Sequence, residues 1–198
     1  MQSRAQYYVC TNLSCGTQIA CDRVVISPNG EGYVVESNHR LFNTPMPPQD
    51  IRFAVDREWS PERIDLRAGS AVSAEFVFGD TTCEMRMKTP QGDTGHRWTV
   101  GRRSAYVMLS GVLYLPLHIV RRFSFETNAP LRFTIIPNGF CEVRRVEDAQ
   151  EGDRTFRVLR ARFFDGRDSD VVDLFVTPDG ELEKYYAGRN TLMVKRER

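Results

Sequence analysis

Hydrophobic and polar residues alternate with a period of two along most of this chain, and helical periodicity is almost absent. The run over residues 83–88 is typical, because Cys83, Met85 and Met87 form one face and charged residues form the other. A strand with one buried face and one solvent-exposed face gives this pattern in an antiparallel sheet. Residues 51–56 repeat it. The alternation therefore predicts an all-β protein.

Turn signals separate these runs at intervals of about 8–12 residues, the spacing of strands in meandering all-β folds. The pair Asn29-Gly30 lies between two alternating runs and predicts a hairpin, because both residue types tolerate positive φ. Further turns contain Pro137-Asn138-Gly139 and Pro178-Asp179-Gly180. We therefore expect about a dozen strands in one long curved antiparallel sheet, as an open barrel or a spiral β-roll.

The segment from Ser104 to Phe125 is the exception, because its apolar residues are too dense for a half-exposed strand. Pro116 lies in its middle and is unfavourable in a helix interior. We expect two short helical or irregular turns on either side of Tyr114-Leu115-Pro116. Together they form a helical insertion near residues 104–123 that packs across the sheet.

Length and composition favour one globular domain over residues 1–198. Hydrophobic residues make up 41% of the chain and charged residues 27%, close to the average of globular proteins. The 27 basic and 26 acidic side chains give a net charge of +1. Proteins that bind nucleic acids usually gather a basic excess on one face, so we expect no nucleic-acid partner.

No segment has the features of a signal peptide or a membrane span. The residues after Arg4 are polar and contain no apolar run of ~7–15 residues. No stretch reaches the ~18 apolar residues of a transmembrane helix. Five cysteines, an odd number, favour free thiols over a disulfide framework. We therefore expect a cytoplasmic protein without a membrane span.

Cys10, Cys15 and Cys21 lie close enough in sequence to suggest a metal site. Their spacing matches no CxxC knuckle, and no histidine follows at the expected distance. Small buried hydrophobic side chains explain them better, and we expect neither a metal nor a cofactor. The chain also contains no P-loop, dinucleotide-binding, GxSxG or HExxH motif. The sequence therefore favours a binding protein over an enzyme.

The candidate binding residues lie around the helical insertion. His118 stands in an apolar run, where a histidine is more often a satisfied core residue than a catalyst. Arg121 and Arg122 follow this run directly. Arginines in a cavity would hold an anionic or polyhydroxylated head group through forked hydrogen bonds. Trp59 lies between two strands and either caps the core or stacks on a ligand.

Three segments carry a resemblance to a known family. An extended segment ends at Asp56, and Trp59 and Arg63 follow it. Residues 115–123 form an apolar stretch with a proline and then two arginines, and residues 171–186 contain an Asp-Gly turn followed by two tyrosines. In this order the segments resemble the bacterial glycolipid-binding protein family. The resemblance implies a spiral all-β roll that binds a glycolipid.

The leading hypothesis is a non-enzymatic protein that binds an amphiphile, a lipid or glycolipid, in a groove of the curved sheet. Such sites are mostly apolar and contain a few placed polar groups. Leucines of the insertion and the tryptophan would supply apolar contacts, and one of the two arginines would contact the head group. The residues assigned to the ligand are Trp59, Leu113, Leu115, Leu117, His118, Arg121 and Arg122.

Two alternatives remain open at this point. A hydrolase or isomerase that acts on a sugar or lipid would use His118 and a carboxylate as acid and base. An interaction module would pair an exposed strand edge with a partner or with a second copy, which leaves a homodimer open. The binder predicts a co-purifying ligand, the enzyme a bell-shaped pH profile, and the module a concentration-dependent oligomer.

Overall fold

The computed structural model describes residues 3–107, 114–164, 169–187 and 192–197, without the side chains of residues 114, 115, 169 and 187. The described residues form sixteen strands, a 3-10 turn at Arg102–Ser104 and one α-helix, α1, at Tyr114–Arg122. The strands are β1 Arg4–Asn12, β2 Gln18–Asn29, β3 Gly32–Leu41, β4 Gln49–Asp56, β5 Pro61–Ala68, β6 Val72–Phe78, β7 Thr82–Thr89, β8 Gly92–Thr99, β9 Ala105–Val107, β10 Leu131–Ile136, β11 Phe140–Arg145, β12 Ala149–Glu151, β13 Arg154–Phe164, β14 Ser169–Val176, β15 Leu182–Ala187 and β16 Leu192–Glu197.

These strands belong to one long sheet in which chain neighbours are mostly sheet neighbours. Its order runs from β8 down to β1, continues through β16, β15, β14 and β13, and ends with β11, β10 and β9, while β12 pairs with β13 off this path. The first and last strands of the chain therefore pair in the middle of the sheet. The described pairs are antiparallel except β9 with β10. The predicted all-β fold, one long open sheet with a short helix, is confirmed.

The sheet has more strands than the dozen predicted, in part because β1 is polar on its inner face. Gln6 and Tyr8 are both buried there. The Gln6 amide donates a hydrogen bond to Glu181 Oε2 at 2.6 Å, and the Tyr8 hydroxyl donates one to the Leu182 carbonyl oxygen at 3.2 Å. Buried polar side chains are stable when they are hydrogen bonded. They remove the hydrophobic alternation that would otherwise reveal the strand.

Helix α1 lies inside the curve of the sheet. The fully buried His118 ring of α1 lies 5.6 Å from the Phe53 ring in β4 and 5.8 Å from the Phe133 ring in β10. These two strands are far apart in the strand order. Because both contact the same ring, the sheet must curve around the helix. The helix has five consecutive buried residues, namely Pro116, Leu117, His118, Ile119 and Val120.

A helix runs through Pro116, where the sequence predicted a break between two turns. Residues 108–113 of the predicted insertion lie outside the described residues. Since α1 begins at Tyr114, Pro116 is its third residue. The first four N–H groups of a helix have no intrahelical partner, so a proline there loses no hydrogen bond. The predicted break at Pro116 is therefore wrong. No helix in the described ranges is both long enough and apolar enough to span a membrane.

The three N-terminal cysteines do not share one face of the sheet. Cys10 pairs with Ala20 across the β1–β2 ladder, whereas Cys21 pairs with Val9, so the two thiols point to opposite faces. Cys15 is exposed in the turn between these strands. All five cysteines of the chain are free thiols.

We expect Cys15 to react first with iodoacetamide at pH 8. Its pKa is lowered by hydrogen bonds from Thr17, whereas burial raises the pKa of Cys83 and of Cys141 to about 12. Each pKa unit reduces the reactive thiolate about tenfold. Timed alkylation followed by peptide mass spectrometry checks the order, with C15S as the control that removes the fast phase. Equally fast labelling of Cys83 in the native protein would contradict it.

Candidate functional site

A tight turn between β4 and β5 positions Trp59 beside the end of α1. Asp56 Oδ1 accepts hydrogen bonds from the backbone N–H groups of Glu58 at 2.9 Å and Ser60 at 2.8 Å. The Trp59 N–H donates to the Asp56 carbonyl oxygen at 3.0 Å. These bonds hold Trp59 at a φ of 61°, a left-handed conformation that is uncommon for a bulky residue.

The Trp59 ring packs against one aromatic ring and one cation. It stacks on Tyr33 of β3, with ring centroids 5.4 Å apart and planes 22° apart. Arg121 Cζ lies 5.7 Å from its centroid, within the range of cation–π attraction. Only 8% of Trp59 is exposed. In this structure the ring caps the core and joins β3 to the end of the helix.

Arg121 is neutralised within the protein. Its Nη2 donates a hydrogen bond to Glu181 Oε1 at 3.0 Å. Arg4 and Arg196 lie 3.5 Å and 3.6 Å from the same carboxylate. Burial alone would raise the pKa of Glu181, but the charge of Arg121 and the hydrogen bond from Gln6 hold that pKa below its ordinary value. Arg121 is thus part of a partly buried ionic network.

Arg122 has different surroundings although it is the next residue. Its Cζ lies 5.3 Å from the Phe133 ring centroid. Among the described residues it makes no ion pair, and its Nη1 is buried without a hydrogen-bond partner. Burial lowers the pKa of this guanidinium, while the charges of Asp56 and Glu58 act in the opposite direction. Arg122 therefore has donor capacity that the described part of the protein does not use.

The two carboxylates whose charges act on Arg122 have arginine partners of their own. Asp56 Oδ2 lies 3.5 Å from Arg102 Nη2, and Glu58 Oε2 lies 3.3 Å from Arg103 Nη2. Both of these arginines belong to the 3-10 turn that precedes β9. Arg102 also lies 3.4 Å from Glu62. Both of these arginines thus have ion-pair partners, whereas Arg122 makes no ion pair among the described residues.

His118 lies in an aromatic environment one turn before the arginines. Its ring is 5.1 Å from the Tyr106 ring and close to Phe53 and Phe133. Burial lowers its pKa well below the ordinary value, and Arg122 acts in the same direction. The imidazole is therefore neutral at pH 7. A general base must reach a substrate proton, and full burial is the environment of a packing residue.

The structure brings part of the predicted site together. Trp59 and Arg121 are in contact, and the charges of Asp56 and Glu58 in the Trp59 turn act on Arg122. Leu117 is buried in the core. Leu113 lies outside the described residues, as does the side chain of Leu115.

Sequence reasoning missed a buried polar cluster on the inner face of β2 and β3. His39 Nδ1 lies 3.1 Å from Asp22 Oδ1, and the Ser37 hydroxyl donates to the same oxygen at 3.4 Å. All three side chains are buried. The available signal was the phase of the alternation, since Asp22 is in register with the inward-pointing Ala20 and Val24.

Comparison with known proteins identifies a shared fold and no family. No family model matches the chain, and no curated protein matches it. The structure aligns with the crystal structure of a beta-barrel-like protein of the domain of unknown function DUF1849 from Brucella abortus. The alignment covers 100% of this chain and 95% of that chain, with a TM-score of 0.56 and 9% identity. This likeness shows a beta-barrel-like, all-β fold, and the resemblance to the glycolipid-binding family is not confirmed.

Proposed function

We propose that this protein binds an amphiphile, a lipid or glycolipid, in the curve of its sheet, without catalysis. The observation that carries the proposal is the state of Arg122. Its guanidinium is partly buried, and no described residue supplies it with an ion pair or with an acceptor for Nη1. Burial of a donor without an acceptor is unfavourable. A ligand head group with acceptor oxygens would compensate for that cost.

Apolar surface for the rest of such a ligand lies on the inner face of β5 to β8. Leu66, Met85, Met87 and Trp98 are partly buried there and pack against the core. Methionine side chains adapt to irregular ligand shapes. The Trp59 turn leads directly into β5, so the apolar strip begins next to the turn whose carboxylates, Asp56 and Glu58, act electrostatically on Arg122.

Arg121 is the less suitable head-group residue of the pair. Glu181 already neutralises it, and its guanidinium packs against the Trp59 ring. We assign Arg121 to the framework of the site, where it holds Trp59 in place. Arg122 is the residue we assign to the ligand.

The variant R122Q tests this assignment. A hydrogen bond to a charged group contributes roughly 1.5–3 kcal/mol, so we expect about a 10- to 100-fold loss of affinity for decanoate or decyl phosphate. Isothermal titration calorimetry measures the affinity, and native mass spectrometry with organic extraction identifies any co-purifying ligand. R52Q is the matched control. Arg52 is exposed on β4, and it has a single long ion-pair contact among the described residues, 4.0 Å to Glu36. Equal affinity in R122Q and the wild type would refute the assignment.

Several predictions from the sequence extend this proposal. We place the protein in the cytoplasm as one domain over residues 1–198, and cell fractionation and limited proteolysis check these statements.

A homodimer would use the sheet edge at β8, whose residues are nearly all exposed. Light scattering over a range of concentrations measures the oligomeric state.

A further inference from the structure

Strand β8 lies at one end of the sheet, and among the described residues it pairs with β7 alone. All of its residues except Trp98 are exposed. A free strand edge presents N–H and C=O groups with which another chain can pair, and proteins usually protect it with a proline, a bulge, a very short strand or charged side chains. Strand β8 has eight residues, contains no proline and keeps one register along its whole length. Only its charges can therefore restrict what pairs with it.

The odd-numbered residues of β8 direct their backbone groups away from β7. The Val100 N–H, which continues the β7–β8 pairing, donates to the Thr81 carbonyl oxygen at 2.9 Å. In an antiparallel pair, hydrogen-bonded positions alternate with non-hydrogen-bonded ones. The even-numbered residues of β8 therefore bond to β7, whereas Asp93, Gly95 and Arg97 direct their N–H and C=O groups to the free edge. This edge offers regularly spaced donors and acceptors.

We propose that a second copy of this chain pairs antiparallel along the β8 edge, with the two Gly95 residues opposite each other. Each Asp93 then faces the second copy's Arg97, and both side chains are exposed. Because the residues that face each other across the edge are odd-numbered in both copies, their free backbone groups meet as hydrogen-bonded pairs. The inference rests on the homodimer named above and does not depend on amphiphile binding.

The two charges of β8 select this register. Asp93 and Arg97 lie at equal distances in sequence on either side of Gly95. A pairing centred on Asp93 or on Arg97 would place like charges directly opposite each other, which is unfavourable. A pairing centred on Thr94 or on His96 would place both charges opposite uncharged residues. The pairing centred on Gly95 joins the opposite charges, and it does so twice by symmetry.

Strand β7 extends this charge complementarity. Lys88 is in register with Asp93, and Glu84 is in register with Arg97, whose Nε lies 3.6 Å from Glu84 Oε1. Across the two copies, one row on the outer face therefore contains Lys88 and Asp93 of the first copy, then Arg97 and Glu84 of the second. The sign of the charge alternates at every step of this row. Opposite charges on neighbouring strands stabilise a sheet.

The inner face is compatible with the same register. Trp98 is partly buried there and packs against the core. In the proposed pairing it lies opposite the second copy's Gly92, which has no side chain to displace the indole ring. An aromatic ring beside a glycine of the neighbouring strand covers backbone that would otherwise be exposed.

Oxidative cross-linking tests the register. The proteins carry C15S, which removes the exposed native thiol, together with either G95C or T99C. Directly opposed residues of a hydrogen-bonded pair have Cα atoms about 5.5 Å apart, within reach of a disulfide. The two copies of residue 99 would lie roughly 27 Å apart, because the register displaces them by eight positions of about 3.4 Å each. Intact-mass spectrometry should show that G95C forms disulfide-linked dimers at least about tenfold faster than T99C.

Charge reversal tests the interface without a cross-link. R97D places two like charges opposite each other at both ends of the pairing, so we expect the association constant from sedimentation equilibrium to fall about tenfold. D93R/R97D restores opposite charges between the copies, whereas within each chain both changes face a like charge on β7, Lys88 or Glu84. Recovery relative to R97D must therefore come from the second copy. R52D, which reverses an exposed charge on β4, is the matched control and should leave the constant unchanged.

These measurements contain no ligand, so their outcomes are separate from those of the proposed function. Equal cross-linking rates of G95C and T99C would overturn the register. A wild type that stays monomeric at millimolar concentration would overturn the interface, as would a dimer that R97D and D93R/R97D leave unchanged. Loss of decanoate binding beside an intact G95C cross-link would overturn amphiphile binding alone and leave this dimer in place.

Discussion

Replacing Gly32 with alanine is expected to destabilise the protein by about 4 kcal/mol or more, at the extreme of single substitutions. A Cβ atom on Gly32 would lie 1.9 Å from the Val55 carbonyl oxygen and 2.9 Å from the Asp56 Cα. Both are backbone atoms of β4, and Gly32 pairs with Asp56 in the β3–β4 ladder. Relief would require these strands to separate beside the Trp59 turn. Urea denaturation of G32A and the wild type measures the difference.

The matched control is G95A. Gly95 also lies in a strand, and the nearest atom to its added Cβ is the Met85 carbonyl oxygen at 3.5 Å, an ordinary contact. Alanine restricts the unfolded chain, so we expect G95A to be neutral or more stable by about 0.4–1 kcal/mol. Similar urea midpoints for G32A and G95A would show that β4 accommodates a Cβ atom at position 32 without loss of stability.

The sequence was most informative where side-chain chemistry and backbone requirements agree. The alternation of β7 placed Cys83, Met85 and Met87 on one face, and Asn29-Gly30 marked the β2–β3 hairpin, where Gly30 has a φ of 55°. It was least informative where polar residues point inward. The buried Gln6 side chain is stabilised by a hydrogen bond to Glu181, a residue that lies 175 positions away. No local pattern contains that partner, so the pattern could not identify β1.

The same reasoning explains the partial prediction of the site. Arg121 and Arg122 are adjacent residues of the same type, and the hydrophobic alternation does not show which of them has an ion-pair partner. Glu181 decides it, and this carboxylate comes from the segment just before β15. Long-range packing therefore distinguishes Arg121, which we assign to the framework, from Arg122, which we propose for the ligand.

Lowering the pH below about 6.5 is expected to destabilise the protein through His118. Burial holds the pKa of the folded imidazole well below 6.5, the ordinary value that it regains in the unfolded chain. The unfolded state then binds a proton that the folded state does not. The contribution of neutral His118 is complete above pH 6.5 and is lost as the pH falls, by up to about 1.4 kcal/mol per pH unit.

The variant H118F separates this effect from the titration of other groups. Phenylalanine cannot titrate, so H118F should lack the His118 part of the slope between pH 7.5 and 5, whatever its absolute stability. H96F is the matched control for a histidine-to-phenylalanine change, because His96 is exposed on β8. The range stops at pH 5 because carboxylates that form ion pairs, such as Glu181, begin to lose their charge below it. If H118F keeps the wild-type slope in urea denaturation, the imidazole is accessible to protons in the folded state, and its assignment as a buried packing residue fails.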